Sequence, residues 1–377
     1  MKISKAYIIG EAGLKDIVIE KGMIRSVTTI NTPQPSSIIL PEDNMTFPGL
    51  INSHDHLDFN LFPQLGNHIY KNYVAWGDDI YENNIGQINA VLKIPQALRT
   101  QWGIYKNLLC GVTTVVNHGK KLNPDNELIT VFQDCYSLHS LKYEKKWKWK
   151  LNDPLKKNKP FVIHTGEGTD EEARNEIDEL INANWLKKKM IAVHGVAMTT
   201  AQAKAFESLV WCPASNYFLL DATANVKKIK KNTAIVLGTD STLSAGWSIW
   251  DHLRMARKTE QLSDQELLDA VNTVAAKIWN MNNGVIAQNK SADIVVAKKK
   301  QDRSGMDNFF SLNPEDILMV ISKGNIMLFD ESLLDQVKMQ GFYRVTVNGA
   351  VKYVQGNLPV LSQSIKAYYP EAIFPFG

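Results

Sequence analysis

The sequence has few cysteines, with only Cys110, Cys135 and Cys212 among its 377 residues. They lie far apart in the chain and are odd in number. Neither a disulfide framework nor a cysteine-rich zinc site is therefore expected.

The sequence also lacks a strong charge bias and long apolar runs. The net charge of +3 is too small to predict a nucleic-acid partner. No run approaches the roughly 18 apolar residues of a membrane span, and residues 1–7 lack the apolar core of a signal peptide. We expect a soluble, cytoplasmic protein that takes a small-molecule substrate and binds neither nucleic acid nor membrane. A homodimer is compatible with the sequence.

Lysine is concentrated in one segment. Residues 142–159 contain eight lysines together with Trp147 and Trp149. One interpretation is a surface that attracts nucleic acid, membrane or other anions. The other is a solvated helix and loop on the exterior, and further lysine runs at 187–189 and 227–231 favour it.

The two ends of the chain read as β-structure. Short β-rich runs separated by glycines fill residues 1–46, and similar runs resume after residue 284. Asn348-Gly349 is typical of a type I′ hairpin turn between two of them. We predict one small β-sandwich domain built from residues 1–46 and 284–377.

The middle of the chain, residues 47–283, alternates strand-like and helix-like patterns. Sequences typical of helix N-termini follow several strands, among them a capping box at residues 169–172, one at 199–202 with a helix to about residue 208, and one at 263–266 with a helix to about residue 281. Repeated strand–helix units predict a parallel sheet, either open or closed. We favour a (β/α)8 TIM-like barrel, because a barrel collects functional residues from the C-terminal ends of several strands.

Two histidines one residue apart end the first strand of this region. His54 and His56 follow the apolar run at residues 47–51. Side chains alternate along a strand, so both imidazoles point to the same side and can reach one metal ion at about 2.0–2.1 Å. Three more apolar runs end in a residue of metal-ligand type, and these residues are His164, His194 and Asp240.

The motifs at these strand ends resemble those of the amidohydrolase superfamily, in its branch of cytosine, guanine and adenosine-type deaminases and triazine hydrolases. The resemblance is collinear over nearly the whole chain. It rests on residues 48–56 (PGLINSHDH), 111–116 (GVTTVV), 164–167 (HTGE), 193–195 (VHG), 212–216 (CPASN), 237–241 (LGTDS), 284–287 (GVIA) and 291–296 (SADIVV).

The resemblance implies a metal-dependent active site. His54, His56, His164 and Asp240 would hold one divalent ion, Zn²⁺ or the alternative Fe²⁺. Asp240 would also act as general base toward the metal's water. His194 would orient or polarise that water, or serve as a fifth ligand. Residues 117–160 offer no lysine at a convincing strand end to bridge a second metal, which favours a single ion.

Glu167 lies three residues after His164, and the resemblance implies that it carries a proton to the substrate's ring nitrogen or leaving group. The alternative is a helix-terminal charge stabilised by the helix dipole.

The resemblance also suggests three substrate contacts, Trp76, His118 and His139. A core tryptophan and loop histidines are the respective alternatives. The region between the second barrel strand and His164 is shorter than in the family, so one strand is hard to place.

These features predict a metal-dependent hydrolase that attacks a C–N bond other than a peptide bond. Deamination of a nitrogen heterocycle is the first hypothesis. The second is hydrolysis of a cyclic amide, an amidine or a chlorotriazine on the same centre. A non-catalytic binding protein of the same fold is a third, and the complete ligand set argues against it.

Overall fold

The computed structural model describes residues 1–30, 37–124, 128–300, 302–303 and 305–377. Two β-sheets built from both chain ends pack face to face. The part of the chain between those two ends forms a barrel of parallel strands. Within the described residues, no helix is both long and apolar enough to cross a bilayer. The predicted fold, a TIM-like barrel with a small β-sandwich, is confirmed.

The first sandwich sheet has four strands in the order β3-β2-β1-β4. The second has six strands, all antiparallel, in the order β17-β18-β16-β15-β14-β5. Their bounds are β1 Lys2–Ala6, β2 Lys15–Glu20, β3 Met23–Thr29, β4 Ser37–Ile39, β5 Asn44–Pro48, β14 Ile294–Lys298, β15 Ile317–Ser322, β16 Asn325–Asp330, β17 Phe342–Val347 and β18 Ala350–Gln355.

Apolar side chains from both sheets fill the space between them. Ile3 and Ile17 of the first sheet share one buried cluster with Val296 and Phe329 of the second. Asn348 and Gly349, both at positive φ, form the predicted two-residue turn between β17 and β18. The exact division of the chain at residues 46 and 284 stays a prediction.

Among the described residues, eight parallel strands form the barrel. They are β6 Leu50–Asp55, β7 Val112–Asn117, β8 Thr130–Phe132, β9 Tyr136–Leu138, β10 Phe161–Thr165, β11 Met190–His194, β12 Ser208–Trp211 and β13 Ala234–Leu237. Hydrogen bonds join them in two arcs, β6-β7-β8 and β9-β10-β11-β12-β13. The amides of Thr239 and Asp240 donate to the carbonyl of His54, which brings the end of β13 against β6.

The interior of the barrel is apolar below the strand ends. Six strands each contribute at least one side chain to a single buried cluster, an arrangement that requires the strands to surround it. Those side chains include Ile51, Val116, Val162, Ile191, Val210 and Val236. Trp279, from a helix after the last strand, joins the same cluster.

The helices lie mostly between barrel strands. Their bounds are α1 Tyr73–Asn83, α2 Ile85–Leu92, α3 Gln96–Leu109, α4 Trp147–Leu151, α5 Glu171–Ala183, α6 Thr200–Ala203, α7 Pro213–Leu220, α8 Val226–Ile229, α9 Ile249–Lys258, α10 Asp264–Ala270, α11 Thr273–Ile278, α12 Gly305–Phe310 and α13 Leu358–Tyr368. Both α1 and α2 belong to the long connection between β6 and β7.

Three helix predictions are corrected. The cap of α5 is Asp170, whose carboxylate accepts from the amide of Ala173, so residues 169–172 do not form the predicted capping box. The capping box of Thr199 and Gln202 is present, but its helix ends at Ala203. The helix that starts after Ser263 breaks at residues 271–272 and continues as α11.

The barrel strand that is hard to place from the sequence lies next to a very short connection, between β8 and β9. Only residues 133–135 separate β8 from β9, and no helix intervenes. β8 pairs with β7, whereas β9 pairs with β10. Each strand has three residues, so neither leaves a periodic pattern that sequence reasoning can detect.

One lysine is fully buried inside the sandwich. Lys352 is 0% exposed, and its Nζ donates to the carbonyls of Glu315 and Ile317 and to the carboxylate of Asp330, each at 2.7 Å. All three of its donor positions are therefore satisfied, which offsets the cost of burying the charge.

We expect Lys352→Met to lower the free energy of unfolding by about 3–5 kcal/mol, because it leaves a half-buried carboxylate and two carbonyls without their donor. Denaturant unfolding followed by circular dichroism measures the change. The exposed Lys338 provides the control, and Lys338→Met should change the stability by less than about 0.5 kcal/mol. Equal effects of the two substitutions would contradict the role given to Lys352.

Candidate metal centre

Four side chains that the sequence singles out meet at the C-terminal end of the barrel. The Nε2 atoms of His54 and His164 lie 3.1 Å apart. Asp240 Oδ1 lies 3.6 Å from His54 Nε2 and 3.5 Å from His56 Nε2. The ligand atoms of His54, His56 and His164 all lie within 4.8 Å of one another. The four side chains thus come together because they lie at or just beyond the C-terminal ends of β6, β10 and β13.

The electrostatics of this cluster suit a cation. Burial, reinforced by neighbouring imidazoles, lowers the pKa of His56 to about 4 and holds the pKa of His164 well below its ordinary value. Both rings are therefore neutral donors at neutral pH. Burial would raise the pKa of Asp240, but interactions with the surrounding histidines outweigh it and hold that pKa well below the ordinary range.

The donor set fits a divalent metal ion. Three imidazoles within 4.8 Å of one another, with a carboxylate oxygen 3.5–3.6 Å from two of them, form the kind of ligand set that Zn²⁺ or Fe²⁺ takes in proteins. Two imidazole nitrogens 3.1 Å apart match the spacing expected of atoms that share one ion at about 2 Å. We conclude that the site binds a divalent cation.

The backbone around Asp240 is specialised for this position. Asp240 has a φ of +59°, and its Oδ2 accepts from the hydroxyls of Ser215 and Ser244, each at 2.8 Å. Gly238 packs directly against β6, where an added Cβ would lie 2.6 Å from the Cβ of His54. Only glycine permits this close approach of the chain to β6. The glycine two residues before Asp240 therefore has a structural reason.

Glu167 and His194 form a second group beside the first. Glu167 Oε1 lies 3.5 Å from His194 Nε2, and both side chains are buried. Burial, together with Asp240, raises the pKa of Glu167 well above its ordinary value, which favours the protonated form. Burial lowers the pKa of His194 to about 3. A carboxyl group whose protonation is favoured therefore stands next to a neutral imidazole.

His194 is oriented by a side chain that the sequence left without a role. The amide of Asn216 lies 2.9 Å from His194 Nδ1. The Nε2 atom of His194 is buried without a hydrogen-bond partner among the described residues. It is therefore available to a ligand, a water or the metal itself.

A buried ion pair beneath the site was missed by sequence reasoning. Lys106 Nζ, on α3, lies 3.0 Å from Asp55 Oδ2, and the two side chains are 2% and 0% exposed. Asn107 also donates to Asp55 Oδ2, and Asn60 donates to Asp55 Oδ1. Asn52 connects the network to Thr239, next to Asp240. Asp55 lies between His54 and His56, so this network fixes both histidines.

The three residues predicted to contact the substrate, Trp76, His118 and His139, lie in different places relative to the cavity. His118 is buried behind His164, with its ring stacked at 4.4 Å and its Nε2 2.9 Å from the carbonyl of Leu138, and it does not line the cavity. His139 and Trp76 both line the cavity above the metal cluster. The indole of Trp76 donates to the carbonyl of Leu65. The substrate roles of all three stay predictions.

A cavity of about 260 Å³ opens above the metal cluster. Helix α1 forms one wall of it, with side chains at helical spacing facing inward. The residues that line the cavity are His56, Phe59, Tyr73, Trp76, Gly77, Ile80, Tyr81, His139, Tyr143, His164, Glu167, His194, Asp240, Ser241, Leu243 and Ser244.

The first turn of α1 is attached to the loop that carries Glu167. The amide of Tyr73 donates to the carbonyl of Glu167 at 3.0 Å. Asn72 caps the helix by accepting from the amide of Ala75, and its own amide donates to Asp170 at 2.6 Å. The cavity wall and the buried acid thus share a continuous set of hydrogen bonds.

We predict that His54→Ala and His56→Ala lose the metal, because each removes one donor of a compact set. Metal content of the purified variants, measured by mass spectrometry, provides the test. His68→Ala is the control, since His68 is exposed and lies outside the cluster. Full metal content in either ligand variant would contradict the assignment.

We predict that Lys106→Met weakens metal binding about 10- to 100-fold, as substitutions behind metal ligands do, by freeing the Asp55 carboxylate. Competition with a chromogenic chelator measures the affinity. Lys93→Met, at an exposed position shortly before α3, should leave it unchanged. An unaltered affinity in the Lys106 variant would show that the network does not position His54 and His56.

Comparisons with known proteins agree with this geometry. The model of the family described as "Amidohydrolase family" matches residues 145–327. A 5-methylthioadenosine/S-adenosylhomocysteine deaminase of Pyrococcus horikoshii is 24% identical over 214 residues, which are 50% of this chain and 51% of the relative. This chain therefore matches about half the length of that relative.

Two further proteins match over most of their length. A 5-methylthioadenosine/S-adenosylhomocysteine deaminase of Pyrococcus furiosus is 21% identical over 390 residues, covering 85% of this chain and 92% of the relative. The crystal structure of an adenosine deaminase from Xanthomonas campestris with bound zinc superposes with a TM-score of 0.74 at 15% identity, covering 98% of both chains. At this identity the structural match establishes the fold.

Proposed function

Because this chain belongs to the amidohydrolase family, we propose that it is a metal-dependent hydrolase that deaminates a nitrogen heterocycle. The observation that carries the proposal is the buried carboxyl of Glu167, whose pKa is raised, beside the cluster of His54, His56, His164 and Asp240. A hydrolase that expels an amine needs both a site for water activation and an acid, and these residues supply the two functions.

Each residue has a part in the reaction. A divalent ion held by His54, His56, His164 and Asp240 would supply a water with a pKa of about 7. The carboxylate of Asp240 is an anion at neutral pH that can accept a proton, while the two serine hydroxyls hold one of its oxygens. His194, oriented by Asn216, presents its unpartnered Nε2 toward the same space.

Glu167 supplies the proton that the substrate needs. It is 4% exposed and lines the cavity. Protonation of a ring nitrogen makes the neighbouring carbon more susceptible to attack, and protonation of the amine makes it a better leaving group. The alternative, hydrolysis of a cyclic amide, an amidine or a chlorotriazine on the same centre, remains the second candidate. Chloride leaves without protonation, so a buried acid beside the metal cluster suits an amine leaving group better than chloride, whereas the expelled nitrogen of a cyclic amide or an amidine would use the same acid.

The finer assignments are also proposals. We propose one ion per chain and Zn²⁺ rather than Fe²⁺, supported by the bound zinc of the Xanthomonas campestris adenosine deaminase. The names of the relatives support an amine on a purine-like ring as the group that is removed. A cytoplasmic location and a homodimer stay predictions.

We predict that Glu167→Gln retains the metal and loses about 10²–10⁴-fold in kcat, because the amide keeps the shape of the side chain but has no acidic proton to give. Ammonia release under saturating substrate measures the rate. Glu171→Gln is the control, since Glu171 is exposed and pairs with Arg174. A near-normal rate in the Glu167 variant would favour a reaction whose leaving group needs no protonation.

Ammonia release from a panel of aminopurines, aminopyrimidines and aminopterins tests the function itself. Release that depends on added Zn²⁺ and is absent from the His54→Ala variant is the expected result. Hydrolysis of cyclic amides or chlorotriazines, with no ammonia from any amine, would replace deamination by the second candidate.

A further inference from the structure

The size and the lining of the cavity above the metal cluster limit the substrate more closely than family membership does. Resting on the proposed function, we propose that the substrate is an electrically neutral, planar heterocycle with small substituents at most. Nucleotides and carboxylate-bearing derivatives are excluded.

The size sets the first limit. The volume of about 260 Å³ lies below the roughly 300–1,000 Å³ of pockets that hold drug-sized ligands. One flat ring system fills much of such a space. A ring that carries both a sugar and a phosphate would extend beyond it.

The walls are suited to a flat face. Five of the lining residues are aromatic, namely Phe59, Tyr73, Trp76, Tyr81 and Tyr143. Tyr73, Trp76, Ile80 and Tyr81 follow one another at helical spacing on α1, so one helix face supplies three of the five aromatic side chains. Phe59 stacks on the ring of His56 with an interplanar angle of 19°, which continues the aromatic wall to the metal cluster.

Two polar groups of the cavity lining are committed to other partners. The Ser244 hydroxyl donates to Asp240, and the Trp76 indole N–H donates to the carbonyl of Leu65. Neither group is therefore free to donate to the hydroxyls of a sugar. Unpaired polar groups of a ligand are costly when they lose water.

The charge sets the strongest limit. No lysine or arginine is found among the cavity-lining residues of the described chain. The ionisable groups are histidines, tyrosines, Glu167 and Asp240. Tyr81 and Tyr143 are 60% and 50% exposed, so a substituent that extends from the cavity toward solvent would lie beside them. A phosphate or carboxylate there would lose hydration without a cation to replace it.

Binding to the Zn²⁺-loaded protein tests the proposal independently of turnover. Purine, purine riboside and purine riboside 5′-phosphate present the same ring with increasing size and charge, and none has an amine to release. By calorimetry, we expect purine riboside to bind about 10-fold more weakly than purine, and the 5′-phosphate about 100-fold more weakly. Inorganic phosphate alone reveals any direct binding of phosphate to the metal.

A charge added at the mouth should relax the selectivity. Tyr81 lines the cavity and is 60% exposed. Tyr81→Lys should raise the affinity for the 5′-phosphate about 5-fold, leaving that for purine nearly unchanged, since a screened charge pair contributes about 1 kcal/mol. The matched control is Tyr368→Lys, at a position 52% exposed and outside the cavity lining. No gain in the Tyr81 variant would show that charge does not exclude the phosphate.

Removal of the aromatic wall should weaken ring binding. Trp76→Ala should lower the affinity for purine about 10-fold, because stacking on an aromatic ring is worth about 1–3 kcal/mol. Trp149→Ala, at a position 84% exposed and outside the cavity, is the control.

The outcomes separate the two proposals. The inference is overturned if the riboside or its phosphate binds as tightly as purine, or if none of the three binds. Tight binding of purine without ammonia release from any aminated ring would sustain the inference about the cavity and defeat the proposed deamination. Ammonia released best from a nucleotide would sustain the proposed deamination and defeat the inference about the cavity.

Discussion

The geometry of the metal site depends on the buried contact between Lys106 and Asp55. Asp55 lies between the two histidines of β6, and both of its oxygens are occupied, one by Lys106 and Asn107, the other by Asn60. A carboxylate buried without these donors would cost several kcal/mol. Because the network is complete, the end of β6 is rigid, and the imidazoles on either side of Asp55 have little freedom to turn. Helix α3, outside the barrel, thereby fixes a site at the centre of its mouth.

The metal cluster was predictable because its signals are local. Each of His54, His56, His164 and Asp240 directly follows an apolar strand pattern, and parallel strands bring their C-terminal ends to one edge. Lys106 was not predictable, since it lies 51 residues from Asp55 and occupies a helical position like that of many surface lysines. Asn216 likewise gives no local sign that its amide meets His194. Long-range polar pairs leave no periodic pattern in one sequence.

The same distinction between local patterns and long-range contacts explains which parts of the fold could be predicted. The sandwich strands and the hairpin at Asn348-Gly349 were recognisable because apolar runs and turn residues define them within a few positions. β8 and β9 were not, because each has three residues and its identity as a strand depends on hydrogen bonds to β7 or β10. The cap of α5 was misplaced by one residue, since Thr169 and Asp170 are both good caps. The amide and the hydroxyl of Thr169 donate to the carbonyl of Lys71, and Asp170 caps the helix instead.

The attachment of α1 to the Glu167 loop has a consequence for how selectivity can change. The helix that shapes the cavity begins with the amide that holds the backbone of the acid. A substitution that tilts α1 to admit a larger ring also displaces the proton donor. Substrate range and turnover are therefore mechanically coupled, and a broader specificity acquired through this helix would come with a slower reaction unless Asn72 and Tyr73 kept their places. The loop near Leu243 is constrained in a similar way, because the hydroxyl of the adjacent Ser244 donates to the carboxylate of Asp240.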